Sequence, residues 1–296
     1  METVSAWPEL TVESWRDTRD TVHMWTQIVG KIKMVSSPPL NHWWHVTLRV
    51  SARGLSTGAV PAGDGLFDIE FDFIDHVLVI RTSRGGREEF TLRNLSVADF
   101  YAQTLGALAR LGISVDIYAS PNEVEVAIPF AEDTVHHTYE PAHATAFWLQ
   151  LIQAQRVLQQ FRAEFRGKAS PVHYFWGAMD LAVTRFSGRP APTHPGGAWH
   201  CPDWVMREGY SRELSSAGFW PGGGEEGAFY SYAYPVPDGF AAVEVPDGAF
   251  YSDQYGEFLL PYETVRRAEM PDQLVLDFLR GSYSGAAELA HWSVIP

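Results

Sequence analysis

Residues 170–189 read SPVHYFWGAMDLAVTRFSGR: a Ser-Pro step, a histidine, then an aromatic run with the alternation of a strand. Ahead of it, from Pro141 to about Phe165, Phe147, Leu151, Ala154, Leu158, Phe161 and Phe165 fall on one helical stripe, widened by Trp148 and Ile152, and Gly167-Lys168 follows. The first half of the chain repeats this order. Trp15, Val22, Trp25, Ile28 or Val29, and Ile32 keep helical spacing, with Gly30-Lys31, Ser37-Pro38 and His42-Trp43-Trp44 in succession. Downstream, FDIEFDF (67–73) with a turn at Asp75-His76 matches FYSYAY (229–234) with a turn at Asp238-Gly239. Glu89-Phe90-Thr91-Leu92 then matches Glu257-Phe258-Leu259-Leu260, and helix-period segments follow at 96–111 and about 272–290. This shared order points to an internal duplication. The expected fold is α+β: two helix-strand-hairpin-strand-helix units with antiparallel sheet, related by a pseudo-twofold. The first unit is 1–130 and the second 131–296, with a linker at about 119–141 where Ser120-Pro121-Asn122 and Pro129 interrupt the periodicity.

Local signals sharpen the elements. Ser96 suits an N-cap with Asp99 three residues on, and Leu95 with Phe100 suits a hydrophobic staple. A two-residue turn at Asp75-His76 would pair Phe73 with Leu78, Phe71 with Ile80 and Glu70 with Arg81. The row Asp68, Glu70, Asp72 then reads as a solvated strand face offset by Arg81, or as oxygen ligands for a hard cation. Residues 186–228, rich in Pro and Gly, are expected as a long insertion, with Phe219-Trp220 as the aromatic tip of a mobile lid.

Composition bounds the function. In 296 residues, 46% are apolar, enough for a substantial core, and 22 Lys and Arg against 36 Asp and Glu give a net charge of −14. That charge repels phosphate backbones and anionic membrane surfaces, so neither nucleic acid nor membrane is an expected partner. No apolar run approaches the ~18 residues of a spanning helix, and Cys201 stands alone, which suits a reducing cytoplasm.

Candidate chemistry follows from strand parity. An extended first strand puts His42, Trp44, Val46, Leu48 and Val50 on the core side and Trp43, His45, Thr47 and Arg49 on the other. The matching second strand puts Tyr174, Trp176, Ala178, Asp180, Ala182 and Thr184 opposite His173 and Phe175. Aromatics beside a histidine, an arginine and an aspartate suit a pocket with a few orienting polar groups, or a sheet face covered by a helix with Arg49 in an ion pair. Arg49 and Asp180 are placed to pair, which would depress the Asp180 carboxyl. The candidate catalytic residues are His45 or His173 as general acid/base and Asp180 or Glu213 to orient it. The candidate ligand-binding residues are Trp43, Arg49, Tyr174, Trp176, Phe219 and Trp220. His42, His45, His173 and His194, with Glu213, offer a metal alternative, but their spacing matches no metal signature and no metal ligand is assigned. No cofactor and no oligomeric state is legible.

The strings NHWWH (41–45), EFDFIDH (70–76), SPVHYFWGAMDLAVTRFSGR (170–189) and SSAGFWPGGG (215–224) resemble an uncharacterised bacterial family, a domain of unknown function, along nearly the whole chain. The resemblance implies a soluble bacterial protein of this length and brings no reaction or catalytic roles. Members often read Tyr-Ser-His-Glu where this chain has Tyr210-Ser211-Arg212-Glu213. The expected function is an enzyme acting on a small, partly apolar molecule in an aromatic pocket between the two units. A non-catalytic binding or sensing protein, a metal-dependent enzyme with a His-rich site and a scaffold presenting the aromatic face remain open.

Overall fold

The computed structural model of the chain describes residues 6–293 and shows an α+β architecture with two antiparallel sheets. The first sheet follows helix α1 (Arg16–Ser36) and contains β1 (Arg49–Val50), β2 (Gly54–Ser56), β3 (Val60–Ala62), β4 (Gly65–Asp72), β5 (Val77–Thr82) and β6 (Arg87–Thr91). Its strand order is β1-β2-β4-β5-β6, with β3 paired to β4, and α2 (Val97–Arg110) closes the segment. The second sheet follows α3 (Pro141–Ala163) and contains β7 (His173–Phe175), β8 (Asp180–Pro190), β9 (Arg212–Trp220), β10 (Ala228–Tyr234), β11 (Phe250–Ser252) and β12 (Glu257–Pro261). Its order is β7-β8-β9-β10-β12-β11, with α4 (Asp203–Gly209) before β9, and α5 (Tyr262–Arg267) and α6 (Pro271–Leu289) after β12.

The helices form where apolar spacing demands them. α1 buries Val22, Trp25, Ile28, Val29 and Ile32, and Trp25 stacks on Phe100 of α2 with centroids 4.8 Å apart. Ser96 accepts a hydrogen bond from Asp99 N at 3.0 Å, which caps α2 as its sequence indicates. α3 touches both sheets, its Trp148 Nε1 donating to Ser51 O at 3.1 Å. The sheets themselves meet at one place: Leu48 and Tyr174 exchange backbone hydrogen bonds, both at 2.9 Å.

Several expectations are corrected. Residues 41–46 are not a strand: Asn41–Trp43 form a 3-10 turn in which His42 and Trp43 adopt φ of 56° and 60°. An extended run cannot accommodate two left-handed residues. Residues 173–184 are a hairpin, not one ribbon, because Trp176–Met179 form the turn between β7 and β8, with Met179 at φ 60°. The β4–β5 pairing is shifted by two residues, with Phe71 opposite Leu78 and Asp68 opposite Arg81. Asp72 Oδ1 accepts from Ile74 N at 2.9 Å and Asp75 N at 3.0 Å, which makes the turn longer than two residues while keeping every side chain on its expected face. The acidic row beside it is held by arginines: Arg81 bonds Asp68 and Glu70, and Arg53 bonds Asp72. Residues 186–228, expected as an irregular insertion, hold the end of β8, α4 and all of β9. Phe219 is fully buried against Phe229 and Tyr262, so it is core and no lid tip.

Leu48→Pro removes the N–H that bonds Tyr174 at the join between the sheets. We expect a loss of about 3 kcal/mol or more in urea unfolding, with the helical signal of the folded baseline retained.

Candidate active site

One face of the second sheet is the floor of a cleft of about 1080 Å³. Asp180, Ala182 and Thr184 of β8, Leu214, Ser216 and Trp220 of β9, Tyr230 and Tyr232 of β10, and Glu257 of β12 line it. These positions follow from register: Ala182 pairs with Gly218, Gly218 with Tyr230, and Thr184 with Ser216, so the row beside Tyr230 is nearly bare of side chain. A methyl group at Gly218 would collide with the Leu181 carbonyl and the Tyr230 phenol. The bare row lets the Tyr230 ring reach across β9, and its hydroxyl donates to Asp180 Oδ2. Glycine inside a strand marks such a close approach.

The walls come from the first half and from two loops. Lys31 and Met34 of α1, His42 to Trp44, and Trp176 after β7 form one side. Gly30 leaves room for the Trp176 ring, whose Nε1 donates to Val46 O at 2.9 Å. The loop at 118–123 is clamped onto α1 by the Gln27 amide, which donates to Asn122 O at 2.7 Å and accepts from Asn122 N at 2.8 Å. Glu123 N donates to Trp199 O at 2.8 Å, and the Glu123 carboxylate lies against Gly177, where a Cβ would displace it. α4 fixes the remaining side. Glu208 Oε1 accepts from His42 N at 2.9 Å, Gly209 O from His42 Nδ1 at 2.9 Å, and Val205 O from Trp43 Nε1 at 2.9 Å.

Backbone strain gathers here. Of the seven non-glycine residues with positive φ among the described residues, His42, Trp43, Glu123 and His200 line this cleft. Such conformations cost of order 1–3 kcal/mol each and persist where surrounding contacts enforce them, which happens at functional sites more than elsewhere.

The electrostatics are those of acids crowded by the walls of the cleft, with Asp180 and Glu257 half-buried and Glu123 exposed. Burial pushes Asp180 up to about 6, opposed by the Tyr230 hydrogen bond. Desolvation by the surrounding cleft walls and the Asp180 charge push Glu123 and Glu257 each up to about 7. Lys31 is buried beside Asn122, its Nζ 5.4 Å from the Tyr118 ring and 5.7 Å from the Trp176 ring, and burial lowers it to about 8. Tyr210 and Tyr232 share a 3.0 Å hydroxyl contact. His42 is lowered by burial, and its Nδ1–H donates to the Gly209 carbonyl, which leaves the lone pair on Nε2. Cys201 also lines the cleft, but burial raises it to about 11, so it is a thiol at neutral pH.

A family model matches residues 7–295. The chain belongs to the family of unknown function DUF5996. No curated protein and no solved structure matches it.

Of the residues singled out from sequence, the structure brings Trp43, Trp176, Asp180 and Trp220 into the cleft. Others lie elsewhere. His45 is buried beside Trp43 and accepts from Leu40 N at 3.1 Å. His173 is fully buried without a hydrogen-bond partner for either ring nitrogen among the described residues, and burial lowers it to about 3. Glu213 accepts from Ser187 at 2.9 Å and pairs with Arg189 at 2.6 Å on the far part of β8 and β9. Arg49 does not pair with Asp180; it donates to Val172 O at 3.0 Å, and the Asp180 carboxyl is raised where pairing would have depressed it. Tyr174 faces the core against Phe147. Among the described residues no three His, Cys, Asp or Glu side chains meet as a metal site, and His42, His45 and His194 are each engaged with backbone. No helix among those residues is long and apolar enough to cross a membrane.

Sequence reasoning missed Lys31, Glu123, Tyr210, Tyr230, Tyr232 and Glu257 as cleft residues, and His42, weighed only as a metal ligand and placed on the core side, lines the cleft as well. A signal existed for two of the missed residues: FYSYAY places Tyr230 and Tyr232 on one face, and a mid-strand glycine stands opposite.

Tyr230→Phe removes the hydrogen bond that holds Asp180 down, so the Asp180 carboxyl is expected to titrate above its value of about 6, as followed by carboxyl-carbon NMR. Acids raised in the folded state stabilise it fully below their unfolded values, and that stability is lost as pH rises through about 6 to 7. His173, lowered, acts oppositely, with stability lost as pH falls from about 6.5 toward about 3. The two are separated by difference: between pH 5 and pH 8, Asp180→Asn is expected to lose less thermal stability than the parent chain, as read by calorimetry.

Proposed function

We propose that the chain is an enzyme acting on a small, partly apolar molecule bound in this cleft, with Asp180 as general acid/base. The observation that carries the proposal is the convergence of three raised carboxylates, Asp180, Glu123 and Glu257, on one aromatic cleft beside a buried lysine. A carboxyl group that titrates near working pH exchanges protons in both directions without a large free-energy step. Tyr230 fixes the Asp180 carboxylate in orientation, leaving its other oxygen for a substrate proton. His42 Nε2 supplies a second proton acceptor across the cleft, which moves the histidine role from His45 and His173 to a residue on the wall. Trp43, Trp176 and Trp220 provide the apolar contact that orients the substrate body.

The cleft lies between the halves, as a duplicated chain would place it. Each sheet is antiparallel and is preceded and followed by a helix, and the sheets meet beside their first strands at Leu48 and Tyr174. This arrangement supports duplication with a pseudo-twofold through the join. Strand order then equates FDIEFDF in β4 with β9, third from the joined edge of its sheet, and not with FYSYAY in β10. We assign the protein to a reducing cytoplasm on its single free thiol.

The parent chain and Asp180→Asn are to be incubated with a small-molecule extract and followed by mass spectrometry. At least one component is expected to be consumed by the parent, with the rate falling about 100-fold or more in the variant. A component retained unchanged by both would assign the cleft to binding without catalysis.

A further inference from the structure

We infer that the molecule the cleft accepts carries a positive charge: an organic amine or ammonium compound with an apolar body. This rests on the cleft being the ligand site. Three carboxylates line it against one ammonium, Lys31, and no arginine. Lys31 is already engaged, by the Asn122 side-chain oxygen and by the faces of Tyr118 and Trp176. Asp180 and Glu257 have no ion-pair partner among the described residues, and Asp180 is bonded by uncharged donors alone, the Tyr230 phenol and its own backbone N–H. Glu123 is exposed, and its carboxylate has neither a hydrogen bond nor an ion pair among those residues; it feels Lys31 without touching it, so it adds negative charge to the cleft without a cation in contact.

The walls agree with the charge. Tyr230 and Tyr232 stack with centroids 6.0 Å apart, and Trp220 meets Tyr255 edge to face at 6.2 Å, so the acids stand among aromatic faces. Aromatic faces attract a cation through their quadrupole and repel an anion. A neutral guest would leave the acids short of a donor or force them to remain protonated. An anionic guest would meet three like charges with one compensating lysine. An ammonium group is the guest that supplies what the residues lack, as donor and counter-charge together. The net charge of −14 also draws such a molecule in from solution.

The test uses three soluble probes of one shape: benzylammonium, benzyl alcohol and benzoate, titrated into the full chain at pH 8 by calorimetry and ligand-observed NMR. Benzylammonium is expected to bind about tenfold more tightly than benzyl alcohol, with benzoate weakest. In Asp180→Asn and, separately, in Glu257→Gln, the preference for the amine over the alcohol should shrink while alcohol binding holds, with circular dichroism confirming the fold of each variant. Equal binding of alcohol and amine would overturn the inference and leave the cleft as a ligand site. Stronger binding of benzoate would do the same. Absence of binding by all three would remove both the inference and the proposed function.

Discussion

Asp180, the carboxylate on the floor of the aromatic cleft, is held by a phenol where a cation would be expected, and the chain supplies that donor through the row Ala182, Gly218, Tyr230. Because the first two positions carry a methyl group and a hydrogen, the tyrosine ring lies flat across two strands and delivers its hydroxyl to Asp180. A side chain at position 218 would lift the ring and cut the bond. The floor of the cleft is thus specified by the absence of side chain at one strand position. That absence works only because the antiparallel register aligns it with a long donor on one flank and leaves the acid within reach on the other.

The walls depend on the first half of the chain reaching over the second sheet. Leu48 and Tyr174 join the sheets, which brings residues 42–46 against Trp176 and α4. His42 and Trp43 then adopt left-handed backbone, held by Glu208, Gly209 and Val205 of α4. The helix follows immediately on the irregular segment 191–202, so tertiary contacts in that region are what enforce the strain. Loss of the join between the sheets would release the wall before it disturbed the floor, since the floor is held by the ladder of β8, β9, β10 and β12.

The helices were legible because a 3.6-residue period needs no knowledge of a partner. All four long helices lie where apolar spacing puts them, and Ser96 caps α2 as its sequence indicates. Strand parity found Asp180, whose position follows from the alternation of β8, while Trp176 reaches the cleft from the turn ahead of that strand. Parity failed at His45, Arg49 and Tyr174 for a shared physical reason. Alternation says which side chains share a face but not what covers that face, and the 3-10 turn at 41–43 is stabilised by α4, more than 150 residues away. Glu123 carries no local signal at all. Its place is set by the Gln27 clamp on Asn122 and by the space beside Gly177, both long-range facts.

Buried acids elsewhere in the molecule show what packing alone selects. Glu226 is held by Arg266 at 2.6 Å, Asp72 by Arg53, and Asp133 by His136 at 2.7 Å, each with a basic side chain in contact. The chain therefore compensates buried carboxylates with cations where stability is the concern. In the cleft it does otherwise: the half-buried Asp180 receives a phenol, the half-buried Glu257 receives no cation in contact, and left-handed backbone gathers at the wall. A structural demand would have favoured an arginine in place of Tyr230 or Thr184, either of which faces the same space. Uncompensated charge and strained backbone both oppose folding, and their coincidence in one accessible cavity is accounted for by a guest that completes the site, as packing does not account for it.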